Sequence, residues 1–362
     1  MQEIQRTRST IDDKEFEYHF NALTVDELFR HYEHVGFIYP EKQRRLAPFC
    51  AKVRGNWEAA LRAGPEIFCL FSAGNSNGHQ LATLTLWRST NSGWIAQHLT
   101  STGNPFNVRA ILLGCQVHGL GLKANLSAQN WFQPENKYAS RIFGSITNSL
   151  SESHAAVNNY NYLAVKKIYP KPTGSYQISC IAEDPSALFS FASKIRGNLY
   201  AVAEELDQPD LELEALNDLY KRVGLHRQRR SWLAFLPGRN EPIAAAIAYS
   251  GSLGINFSFL ENRCDLMCDA TLENDMRAEI CTDLLYHVSQ FQKALPLGYI
   301  PVTTDDRTAM VLIASGASLV RSYSQSIWLR DGFQSWLQHV EAIYRRVERR
   351  YVSQCKATYR NG

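Results

Sequence analysis

Apolar positions recur along the chain in two kinds of run, and each kind occurs twice. IFCLFSAGNSNGHQLATLTLW (67–87) and SWLAFLPGRNEPIAAAIAYS (231–250) both read as an apolar strand, a turn cluster of Gly and Asn, and a second apolar strand, the pattern of a β-hairpin. HYEHVG (31–36) and LYKRVG (219–224) both close a helical periodicity with a glycine in C-cap position. A third pair aligns without a gap. SYQISCIAEDP (175–185) and SYSQSIWLRDG (322–332) share Ser175/Ser322, Tyr176/Tyr323, Ser179/Ser326 and Asp184/Asp331, and an amphipathic helix, ALFSFASKI or QSWLQHVEAI, follows each.

Three correspondences in one order point to a duplication, with extra length in the first copy. Each copy reads helix, β-hairpin, a further strand (94–99 and 264–270), a long helix (105–118 and 274–294), strand, helix, strand. The expected fold class is α/β of the α+β kind, each copy a mixed, mostly antiparallel sheet flanked by helices. The expected division is 1–206 for the first copy with an N-terminal extension, 207–343 for the second, and 344–362 for a basic tail.

Composition narrows this picture. At 362 residues the chain exceeds one ordinary core, and 45% hydrophobic against 20% charged residues suits a chain folded throughout. The net charge of +3 gives no global field for nucleic acid, so direct nucleic-acid binding is not expected. No apolar run is long enough for a membrane span or a signal peptide, which predicts a cytoplasmic protein with no membrane partner. The eight cysteines lie scattered, and Cys264 and Cys268 lack metal-ligand spacing, so reduced buried thiols and no metal are expected.

Two copies of this element order resemble a tandem GNAT-type acyltransferase fold. The resemblance implies acyl-CoA pyrophosphate resting on backbone amides at the start of the long helix, in a loop patterned Arg/Gln-x-x-Gly-x-Gly/Ala. Gln116, Gly119 and Gly121 in QVHGLG fit that pattern, but the aligned copies start the helix near Asn104 or Pro105 and put the motif at its end. The aligned loops TSTGNPFN (100–107) and DATLENDM (269–276) lack the pattern, and Asp269, Glu273 and Asp275 make the second acidic. A degenerate, non-enzymatic GNAT-like pair is the expectation, with an acyl-CoA or aminoacyl-tRNA dependent transferase as the alternative. No G-x-S-x-G, Walker or H-E-x-x-H motif is present.

HRQRRSW (226–232), the SYQISC and SYSQSIWLRD strands and the basic C-terminal helix resemble the cyanobacterial cyclic di-GMP receptor family of the CdgR type. That resemblance implies a receptor without catalysis or cofactor, which binds cyclic di-GMP and signals to a CRP-type transcription factor. A homodimer, or pseudo-symmetry between the copies, would suit so symmetric a ligand.

Such a ligand needs Arg for phosphate and for the guanine edge, with a planar group to stack on. Arg227, Arg229, Arg230 and Trp232 offer these types in one predicted loop, against the reading of a solvated basic turn with Trp232 in the core. Arg321 and Tyr323, two apart on a strand, could clamp a base, unless Tyr323 is a buried cross-strand partner. Arg44, Arg45, Arg54 and Trp57 could form a second half-site, although surface charge is the expectation. TTDDRTAM (303–310) reads as a helix N-cap whose Asp could also accept guanine N1 and N2 protons. A third possibility is a scaffold or DNA-associated protein acting through residues 344–362.

Overall fold

The computed structural model describes residues 7–11, 14–20, 22–74, 81–102, 108, 111, 127–167, 170–172, 174–181 and 185–360. The first part of the chain runs β1 (Thr7–Ile11), β2 (Lys14–Phe20), α1 (Val25–His34), α2 (Pro40–Leu46), α3 (Cys50–Ala63), β3 (Phe68–Gly74), β4 (Leu81–Arg88), β5 (Gly93–Ser101) and β6 (Ser127–Phe132). Then come α4 (137–148), β7 (Ala155–Lys166), β8 (Gln177–Cys180), α5 (Ser186–Arg196), α6 (Asn198–Ala203) and α7 (Glu214–Lys221). The rest is β9 (Arg227–Phe235), β10 (Pro242–Gly251), β11 (Cys264–Cys268), α8 (Asn274–Phe291), β12 (Tyr299–Thr304), α9 (Asp306–Ala314), β13 (Ser318–Leu329) and α10 (Arg330–Arg360).

All these strands join one mixed sheet in the order β1-β2-β3-β4-β5-β6-β13-β7-β12-β11-β10-β9-β8. Among the described residues only β5–β6 and β11–β12 pair in parallel. The expected hairpins are β3–β4 and β9–β10, and the further strands are β5 and β11. At the centre the halves exchange strands. β7, from the first half, pairs with β12 of the second, while β13, from the second, pairs with β6 of the first. The two exchanged strands then pair with each other.

The strands are apolar on both faces because helices cover both. Along β3, Phe68 and Leu70 face one side, and Cys69, Phe71 and Ala73 the other. Along β10, Ala245, Ile247 and Tyr249 alternate in the same way with Ala244, Ala246 and Ala248. One face carries α1, α2, α3, α5, α6 and α7 over a core shared by both halves. The opposite face keeps two cores, one under α4 and α10 and one under α8 and α9. The loop 252–259 of the second half sews the shared face together, as Trp57 Nε1 donates to Gly254 O (2.7 Å) and Gln97 Nε2 to Ile255 O (2.7 Å).

Local signals set the helix ends. Thr24 and Glu27 form a capping box on α1, and Gly36 and Gly224 take the left-handed φ (68° and 76°) expected after their helices. Asp305 caps α9, its Oδ1 accepting from Thr308 N at 2.9 Å.

Two sequence expectations need correction. SYQISC and SYSQSI are not equivalent: β8 is an edge strand on β9, whereas 322–327 lies in central β13, whose counterpart is β7. A shared Ser/Tyr pattern reports strand propensity, which an edge and a centre have in common. HRQRRSW is also not a loop, because β9 begins at Arg227. The helix at 105–118, the QVHGLG motif and Asp184 lie outside the described residues, apart from positions 108 and 111.

Candidate functional site

Each parallel pair opens into a wedge. β5 and β6 pair from Gly93↔Ser127 to Ala96↔Asn130, and β11 and β12 pair only at Cys264↔Val302 and Asp265↔Thr303. Between the wedges, Tyr323 pairs with Tyr160, flanked by Arg321↔Tyr162 and Gln325↔Asn158. That register is symmetric about the tyrosine pair, so Arg321 by the first wedge corresponds to Asn158 by the second.

Three cations gather near the first wedge. Lys42 comes from α2 and is only 6% exposed, and its Nζ donates to Phe37 O at 2.9 Å and sits 3.8 Å over the Phe37 ring. Arg45, one turn on, is half-buried and has its Nε and Nη2 buried without a partner. Arg321, from β13, lies 5.9 Å over the Tyr323 ring and likewise has a buried, unpartnered Nε. Burial, with the charges of Arg321 and Arg45, pushes Lys42 down to about 7. Lys42 in turn helps burial hold His98 of β5 well below the usual histidine range.

Counter-charge is sparse here: Glu41 acts on Arg321, and no ion pair joins Lys42, Arg45 or Arg321 to a carboxylate among the described residues. Glu261 shares Tyr162 and Tyr299 as neighbours with Arg45, but burial pushes its carboxyl up to about 8, so at neutral pH it is largely uncharged. Buried donors without partners are uncommon because each forfeits its hydration. Half-buried Tyr39 and Tyr299 flank the cluster, and Arg321 stays charged against burial through Tyr323 and Tyr39.

The second wedge is balanced. Arg263 bonds Glu204 (2.7 Å) and Asp265 (3.1 Å), and Arg196 lies 3.2 Å from Asp265. Tyr200 and Thr303 donate to Asp265, Tyr249 donates to Glu204 at 2.5 Å, and Gln129 of the first half donates to Glu204 at 3.1 Å. Burial opposes the Asp265 charge, yet Arg263 and Arg196 hold its carboxyl below the usual range.

The predicted site residues therefore divide. Arg321 and Tyr323 stand beside Lys42 and Arg45, but Tyr323 is buried and donates to Ser258 Oγ at 2.8 Å, so it forms floor and not clamp. Arg227 and Arg229, each 1% exposed, face inward on β9 and donate to backbone carbonyls: Arg227 to Ser89 O and Glu261 O, Arg229 to Leu211 O and Glu204 O. Trp232 is buried against Phe291. Arg230 alone is exposed; it pairs with Glu212 at 3.3 Å beside a groove that Glu214 and Asp218 also line, an acidic setting for a phosphate. Lys42 was missed. Its signal was a lysine four residues from Leu46, on the inward stripe of α2.

The start of α8 is acidic and internally filled. Lys194 and Thr271 hold Asp269 down to about 2, while buried Arg277 donates to the carbonyls of Asp269 and Leu272. Among the described residues no His/Cys/Asp/Glu group could hold a metal, and no helix is long and apolar enough to cross a membrane. Cys69, Cys264, Cys268 and Cys281 are buried thiols, whereas Cys50 and Cys180 are exposed.

No family model matches the chain, and no curated protein is recognisably similar in sequence. Solved structures to which it is similar include a tandem GNAT protein from the clavulanic acid biosynthesis pathway, with 10% identity, TM-score 0.38, and coverage of 87% of this chain and 99% of that one. A GCN5-related N-acetyltransferase from Sphaerobacter thermophilus is 9% identical over 72% of this chain and 80% of its own, with TM-score 0.38. Saccharomyces cerevisiae N-myristoyltransferase with bound myristoyl-CoA is 7% identical over 90% and 81%, again with TM-score 0.38.

Proposed function

We propose that this chain is a non-catalytic receptor for an anionic nucleotide, cyclic di-GMP, taken up at the first wedge. The observation that carries the reading is the set of buried, unpartnered guanidinium atoms on Arg45 and Arg321 beside buried Lys42. A phosphate would accept from both arginines and add negative charge that Glu41 alone does not supply. Half-buried Tyr39 and Tyr299 give rings against which a base can stack. Relative to the expected site, Arg321 and Tyr323 remain, Lys42 and Arg45 enter, and Arg227, Arg229, Arg230 and Trp232 drop out.

Binding is proton-linked in this reading. Burial and the neighbouring arginines push Lys42 down to about 7, and an adjacent phosphate would raise that value, so Lys42 takes up a proton as the ligand binds. The signal then passes to a CRP-type transcription factor.

The transferase alternative draws on the open wedge at β5–β6, where His98 holds a left-handed φ of 56°. At the second wedge the acidic start of α8 opposes an acyl-CoA pyrophosphate. Calorimetric titration with cyclic di-GMP, and separately with acetyl-CoA, tests both. Saturable heat with cyclic di-GMP alone is expected; heat and turnover with acetyl-CoA alone would replace the receptor with the transferase.

A further inference from the structure

The second wedge opens onto a cavity of about 410 Å³, lined among others by Asn158, Tyr160, Arg196, Leu266, Met267 and Asp305. This volume lies in the range of small-molecule sites. Two of the lining side chains carry a buried polar atom with no partner. Tyr160, 8% exposed, has a buried hydroxyl that no well-formed hydrogen bond satisfies, although the Asn158 side chain stands beside it. Arg196, 7% exposed, spends Nη2 on Thr303 O at 2.7 Å and leaves Nη1 without a hydrogen bond, although it stands 3.2 Å from Asp265 Oδ1. The Arg196 guanidinium lies 4.2 Å over the Tyr160 ring, so both side chains line one wall of the cavity.

The charge balance excludes the kind of ligand proposed for the first wedge. Arg196 is matched by Asp265, and Asp305 adds a carboxylate to the lining. Asp305 Oδ1 accepts from Thr308 N (2.9 Å), while Oδ2 accepts from Thr308 Oγ1 (2.7 Å) and from Thr304 Oγ1 (3.5 Å), which leaves a lone pair on Oδ1. A ligand that satisfies this set is uncharged, with an apolar face for Met267, an acceptor for Tyr160 and Arg196, and an N–H donor for Asp305. A lactam-edged purine has all of these: O6 and N7 accept, and N1–H and N2–H donate.

We infer that the cavity between β7, α5 and β11 is a site for an uncharged guanine-type base or nucleoside, read by Tyr160, Arg196 and Asp305. It stands apart from the cyclic di-GMP reading, because its probe carries no phosphate and its residues are not those of the first wedge.

The test is calorimetric titration of the full chain with guanosine and with adenosine, which lacks the lactam edge, in wild type, Tyr160→Phe and Arg45→Gln/Arg321→Gln. Guanosine should saturate, with adenosine at least about tenfold weaker. Tyr160→Phe removes only a hydroxyl that makes no well-formed hydrogen bond, so it should weaken guanosine about five- to tenfold while shifting the unfolding midpoint little. The arginine pair should leave guanosine binding unchanged. Asp305→Asn retains a capping side chain for α9 yet should erase the preference for guanosine. No saturation by guanosine at millimolar concentration, equal binding of adenosine, or unchanged guanosine affinity in Tyr160→Phe would overturn the inference. Because guanosine does not report on the first wedge, failure here leaves the cyclic di-GMP titration to be judged separately.

Discussion

The wedge at β5–β6 and the wedge at β11–β12 meet the same tyrosine pair from opposite sides, yet they handle charge in opposite ways. At β11–β12, Arg263 and Arg196 share Asp265 and Glu204 inside a hydrogen-bonded network in which these groups are buried. At β5–β6, Arg321 feels Glu41, but no ion pair holds Lys42, Arg45 or Arg321 among the described residues. Guanidinium nitrogens lack hydrogen bonds at both wedges, but those of Arg196 and Arg263 belong to ion-paired side chains and those of Arg45 and Arg321 do not. Buried charge that is paired belongs to the fold, because removing one partner strands the other. Buried charge left unpaired is a standing cost, which a ligand anion can remove.

The largest effects should therefore fall on stability at the second wedge. Asp265→Asn or Arg263→Met should each lower the unfolding free energy by about 3–5 kcal/mol in urea denaturation, whereas Arg321→Gln should shift it by no more than about 0.5 kcal/mol. Equal losses at the two wedges would erase the distinction.

Affinity should show the reverse. Arg45→Gln combined with Arg321→Gln should weaken cyclic di-GMP about a hundredfold, since each removes a charge-assisted hydrogen bond of about 1.5–3 kcal/mol. Equilibrium dialysis against labelled ligand checks this, and Asp265→Asn that still folds should retain most of the affinity.

The pH dependence is smaller and signed. Lys42 falls to about 7 in the empty protein, so above pH 7 binding must recharge it, and affinity should drop by up to about tenfold per pH unit until the lysine of the complex itself titrates. In Lys42→Met the proton uptake by the lysine is lost, and the slope should fall to what Glu261, pushed up to about 8, contributes. The same depressed lysine makes the empty protein gain stability as pH rises from about 7 toward the ordinary lysine range, because the unfolded chain there holds the extra proton.

The smallest effect belongs to Arg230, the exposed member of the β9 arginines. Arg230→Ala removes a surface pair with Glu212 and should change stability by less than about 0.5 kcal/mol and cyclic di-GMP affinity not at all. A strong loss of affinity would return the site to β9.

What the sequence revealed follows its range of interaction. The hairpins, β5, β11, α8 and the Asp305 cap depend on neighbours a few residues away, and the chain announces them. The strand exchange does not, because β7 and β13 find partners more than a hundred residues distant. RQRRS looks like a polar loop until alternation is applied; Arg227, Arg229 and Ser231 then share the inward face. What makes that face acceptable to arginines is a set of carbonyls from Ser89, Glu204, Leu211 and Glu261, which no local pattern brings together. Arg321 was legible as a candidate, but its companions Lys42 and Arg45 reach it only across the fold.

The most direct test is an NMR titration of arginine-labelled protein, following the Nε–H signals as cyclic di-GMP is added. Signals of Arg45 and Arg321, assigned from the single Gln variants, should shift downfield and gain protection from exchange, while those of Arg196, Arg227 and Arg229 stay in place. Movement of the β9 arginines instead, or tight binding with Arg45 and Arg321 unmoved, would contradict the account.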